Sequence, residues 1–79
     1  MKTKLKCSNG WVKIERIIDE EESVKLTTNM DDEGELALTL SYDCENKANT
    51  SFDNLSKSKP DELQAGLLKK VKKVTQWIV

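Results

Sequence analysis

Catalytic chemistry has few side chains to work with in this sequence, because the 79 residues include no histidine. Histidine titrates near neutrality, so its absence removes the commonest general base, the usual triad and the most frequent zinc ligand together. Cys7 and Cys44 are the candidate nucleophiles. A thiol attacks as thiolate and needs a nearby cation or helix end to ionise, whereas the strand pattern described below turns Cys7 toward a core. Carboxylates cluster at Asp19 to Glu22 and at Asp31 to Glu35. Both clusters fall on turn-like segments, with no pocket to move their pKa values apart for acid–base work. From Asn29 to Gly34, oxygen-bearing side chains alternate and a glycine stands sixth, as in a calcium loop. The twelfth position is Leu40, where such a loop needs a bidentate Glu. No glycine-rich phosphate-binding motif occurs. The expectation is a protein that is not an enzyme and that carries no metal and no cofactor.

Binding chemistry has more to draw on. The formal net charge is −1, yet residues 1–50 hold 11 acids against 7 bases and residues 51–79 hold 3 acids against 6 lysines. Lys69, Lys70, Lys72 and Lys73 fall on one side of a C-terminal helical pattern. They could neutralise phosphates, although lysines in the last turns of a helix also offset its dipole and keep it soluble. Trp11 shares a strand face with Lys4, Lys6 and Lys13. That composition suits stacking a base while holding its phosphates, and it equally suits a protein-binding hot spot. The acidic turn Asp31, Asp32, Glu33 could imitate nucleic acid toward a basic partner.

These residues need elements to position them. Lysines alternate with Thr3, Leu5 and Cys7, the two-residue period of a half-buried strand. Asn9-Gly10 then predicts a two-residue type I′ hairpin. That loop places Cys7 opposite Val12 and Leu5 opposite Ile14, with all four on one face. After the acidic run 19–22, Val24, Leu26 and Thr28 alternate on a third strand, and Leu36, Leu38, Leu40 and Tyr42 on a fourth. Residues 43–59 are mostly polar and read as a long loop, with one helical turn or a short edge strand near Phe52 and Leu55. Ser58-Lys59-Pro60-Asp61-Glu62 marks a helix start. From there Leu63, Leu67, Val71, Val74, Trp77 and Ile78 make an apolar stripe. Gly66 lies within that helix, where it suggests a close approach to the sheet.

The resulting expectation is one small α+β domain spanning 1–79: a four-stranded antiparallel sheet of two sequential hairpins, with one C-terminal amphipathic helix packed on one face. The charged N-terminal residues lack the apolar run of a signal peptide, and no stretch is long and apolar enough to span a membrane. A cytoplasmic chain with free thiols is expected. The leading functional expectation is a protein-binding module, on composition an accessory protein of a phage or mobile element that inhibits a larger host defence protein by docking. The alternatives are a small nucleic-acid-binding protein using the Lys/Trp sheet face or the lysine helix face, and an oligomeric structural subunit such as a homodimer.

Overall fold

The computed structural model describes residues 1–18, 22–30 and 34–78, with side chains as far as residue 71. Four strands, β1 (Lys2–Lys6), β2 (Trp11–Ile18), β3 (Glu22–Met30) and β4 (Gly34–Tyr42), precede two helices, α1 (Glu45–Ser56) and α2 (Pro60–Ile78). The strands form one antiparallel sheet in chain order. The α+β class and the four-stranded antiparallel sheet are as expected, with two helices in place of one.

Both helices lie on the same side of the sheet. Val12, Ile14, Val24 and Leu26 are buried there with Cys7, Phe52 of α1 and Leu67 of α2. Leu5, Leu38, Leu40, Tyr42, Leu55, Leu63 and Val71 pack around them half-buried. The molecule is only 17 Å through its thinnest direction, the depth of two layers. Val74, Trp77 and Ile78 belong to α2, but their side chains lie outside the described ones.

Helix α1 replaces the loop expected over 43–59. Its apolar stripe is sparse: Ala48 and Phe52 are buried and Leu55 is half-buried, at the i, i+4, i+7 spacing of one helical face. The remaining positions are chiefly Asn, Ser, Asp and Thr, poor helix formers, and the N-cap residue Cys44 supplies no side-chain hydrogen bond. A helix so weakly favoured locally depends on the burial of that stripe for its stability.

The first hairpin also differs from expectation. Lys6 pairs with Trp11, Leu5 with Val12, Lys4 with Lys13 and Thr3 with Ile14, a slip of two residues from the type I′ register. The loop spans Cys7 to Gly10 and is closed by a bond from the Cys7 amide to the Gly10 carbonyl, 3.0 Å. Gly10 has φ +84° while Asn9 keeps a negative φ, so the double positive-φ turn is not formed. A slip of two preserves the alternation, and Leu5, Cys7, Val12 and Ile14 stay on the core face. The expected close approach at Gly66 is also absent: the residue is exposed, and a Cβ there would meet nothing within 4 Å.

Candidate binding face

With both helices on one side, no described element covers the other side of the sheet. The strand register sets its rows: Lys2, Glu15, Lys25 and Thr39; Lys4, Lys13, Thr27 and Ala37; Lys6, Trp11, Asn29 and Glu35. Five lysines therefore share one face with two carboxylates and one indole. Lys2, Lys4 and Lys6 are exposed, while Lys13, Lys25 and Trp11 are half-buried. Thr27, in the row of Lys4 and Lys13, is buried without any helix above it. Long lysine stems lying along a sheet shield short neighbours in this way while their ammonium groups stay in water.

Within the face, Lys4 Nζ sits 4.5 Å from the Trp11 ring centroid, a cation–π contact worth about 0.5–1 kcal/mol at an exposed position. Lys13 Nζ lies 3.4 Å from Glu15 Oε1. Lys4 also stands directly opposite Lys13, and the indole and Glu15 offset that like-charge pairing.

Polar bonds beneath the face hold its hairpin end rigid. Gln64 of α2 is buried and donates to the Asn9 carbonyl at 2.7 Å and to Thr28 Oγ1 at 3.0 Å. Thr28 Oγ1 donates in turn to the Trp11 carbonyl at 2.8 Å. Asp61 accepts from the Ser8 amide at 2.8 Å and from the Ser8 hydroxyl at 2.7 Å. The first turns of α2 are thereby clasped to the β1–β2 loop, directly behind Trp11.

The two Ser8 bonds favour ionised Asp61 and hold its carboxyl below the ordinary value of 3.8. A carboxyl whose folded pKa is depressed stabilises the fold above its unfolded value, and that contribution is lost as pH falls through the folded value. Asp61→Asn should therefore lower the melting temperature at neutral pH. The gap to wild type should close as pH drops below about 3.9. A gap that stays constant through that range in parallel melts would show that the charge on Asp61 contributes nothing.

Cys7 is 7% exposed and its thiol donates to the Pro60 carbonyl at 3.5 Å. Burial pushes its pKa up, and the Asp61 charge pushes it further the same way. A thiol held protonated is a poor nucleophile. Cys44 is exposed, and both cysteines are free. Among the described residues no group of three or more Cys, Asp or Glu side chains is placed to hold a metal ion, and no helix is long and apolar enough to cross a membrane.

Of the residues singled out from sequence, the structure brings Trp11, Lys4, Lys6 and Lys13 together. Lys69 and Lys70 are exposed on α2, in the helix layer, and do not join them. Lys72 and Lys73 lie in α2 with side chains outside the described ones, and Asp31, Asp32 and Glu33 lie outside the described residues. Lys2 and Lys25 complete the face, where strand alternation in the sequence also places them.

No protein-family model, no curated protein and no solved structure matches this chain.

Proposed function

We propose that the protein is a non-enzymatic docking module that lays its uncovered sheet face against a larger protein whose facing surface is mainly acidic. The observation that carries this reading is the five lysines that share with Trp11 a face neither helix covers, with Lys4, Lys6 and Lys13 beside the indole. Charge complementarity would steer and orient the encounter, and Trp11 would supply the apolar anchor. Glu15, between Lys2 and Lys25, would repel a phosphate chain but can pair with a basic side chain on a protein of mixed charge. Docking of this kind inhibits when the covered acidic surface is one the partner needs.

Nucleic acid is the second reading, favoured by the lysine spacing along β1. Lys2, Lys4 and Lys6 are alternate residues of one strand, about 6.7 Å apart, a step that suits successive phosphates of an extended single strand. Trp11 could stack a base, but Lys4 already covers its ring.

Nuclease treatment separates these readings, and the triple variant Lys2→Glu, Lys4→Glu, Lys6→Glu tests the face itself, because all three side chains are exposed and their reversal should leave the fold intact. Immobilised wild-type protein should retain a stoichiometric partner from lysate of its own cells after nuclease treatment. The folded variant should hold that partner at least about tenfold more weakly, which is 1.4 kcal/mol. A partner released by nuclease, with oligonucleotide binding tighter than about 10⁻⁴ M, would transfer the function to nucleic acid. Equal retention by wild type and variant would remove this face from either reading.

A further inference from the structure

The two outer strands of the sheet are finished differently. Natural sheets protect their edges with short strands, lysines, prolines or bulges, because an open row of backbone donors and acceptors pairs with other chains. Strand β1 is five residues long and carries Lys2, Lys4 and Lys6. Strand β4 is nine residues long, has Glu35 as its one charge, contains no proline, and pairs with β3 in unbroken register from Gly34 to Tyr42. It has none of those devices.

The helix side of β4 is unfinished as well. Leu36, Leu38, Leu40 and Tyr42 are only half-buried. A cleft of about 270 Å³ opens between Leu38 and Leu40 of β4 and Leu63 of α2, and another of about 540 Å³ lies between Tyr42 and the Asn46–Leu55 part of α1. Both are lined by the outermost strand. The apolar layer, like the backbone ladder, stops at β4 without closure.

We infer that β4 pairs antiparallel with β4 of a second copy, joining two four-stranded sheets into one of eight strands. A two-fold axis through Leu38 pairs all nine residues: Leu36 with Leu40 of the other copy, Ala37 with Thr39, Glu35 with Ser41, and Leu38 with itself. This register keeps the even-numbered apolar side chains on the helix side and sets no like charges opposite one another. The same operation on β1 would set lysine against lysine, which is unfavourable. The joined sheet presents five lysines from each copy on one continuous open face. This inference stands independently of what that face binds.

Sedimentation of the full chain from low to high micromolar concentration tests it. Wild type should approach twice the 9.0 kDa chain mass. Ala37→Lys with Thr39→Lys alters two exposed positions and places lysine opposite lysine twice across the axis, so this variant should sediment as a folded monomer with unchanged far-UV circular dichroism. A second measurement covers the case in which that variant fails to fold. In a Cys44→Ser background, Leu38→Cys should form a disulfide-linked dimer under mild oxidation, since facing residues of paired strands lie within about 4.5–5.5 Å, and Lys4→Cys should not. A wild type that stays monomeric, a lysine variant that still dimerises, or cross-linking at position 4 but not 38 would each overturn the inference.

Discussion

Gly10→Ala should lower the unfolding free energy by at least about 3 kcal/mol, a fall in melting temperature of about 12–24 °C for a domain of this size. Two causes combine. Gly10 has φ +84°, a region that costs an L residue about 1–2 kcal/mol. An added Cβ would also lie 1.6 Å from the Asn29 carbonyl oxygen and 2.7 Å from its carbon. Those are backbone atoms of β3, which pairs on both sides and cannot swing aside, so the hairpin itself must move. Small domains hold roughly 0.05–0.15 kcal/mol of stability per residue, and this one substitution would consume a large share. Gly34→Ala is the matched control, because Gly34 has φ +76° and an added methyl there would meet nothing within 4 Å. It should cost only the backbone part. Equal losses for the two variants in parallel thermal melts would rule out the close approach as the main cause.

The first hairpin also shows what the sequence made legible and what it did not. Period-two alternation identified four strands and assigned Leu5, Cys7, Val12 and Ile14 to one face, and that assignment holds. Alternation is blind to a slip of two residues, since such a slip leaves every side chain on its own face. Choosing the register required knowing that Gln64 takes the Asn9 carbonyl and that Asp61 takes both donors of Ser8. Those partners are more than fifty residues away, so no local turn preference reports them. Helix α1 was hidden for a related reason: Ala48, Phe52 and Leu55 are too few among Asn, Ser and Thr to raise a visible stripe, and its burial comes from the sheet. The binding face was readable wherever it depended on strand parity, as for Trp11 with Lys4, Lys6 and Lys13. The lysine helix face was a separate surface read from helical periodicity, and Lys69 and Lys70 do sit in the helix layer.

Arg16 is a charged residue on the core side of β2. It pairs with Val24, and its side chain is fully buried. The guanidinium donates to Asn49 Oδ1 of α1 at 2.9 Å, to the Ile17 carbonyl at 2.7 Å and to the Ser23 carbonyl at 3.3 Å, and it pairs with Glu22. Replacing a whole buried ion pair by apolar groups is often neutral, so the outcome of Arg16→Leu turns on what is left behind. Glu22 is 30% exposed and can recover water. The Asn49 oxygen and the two carbonyls lose their donor, at about 1 kcal/mol each, which sets the expected loss at roughly 3 kcal/mol in denaturant titration.

Arg16→Lys should recover only part of that loss, because an ammonium lacks the planar fork that reaches several acceptors at once. The loss should also be local. The Arg16–Asn49 bond ties α1 to β2, whereas α2 is held by its own clasp through Gln64 and Asp61. Hydrogen exchange in Arg16→Leu should therefore quicken across Ala48 to Leu55 well before it does so across Leu63 to Val71, since regions held by separate contacts open separately. Simultaneous loosening of both helices would mean that they open as one unit and that Arg16 supports the whole layer instead of α1 alone.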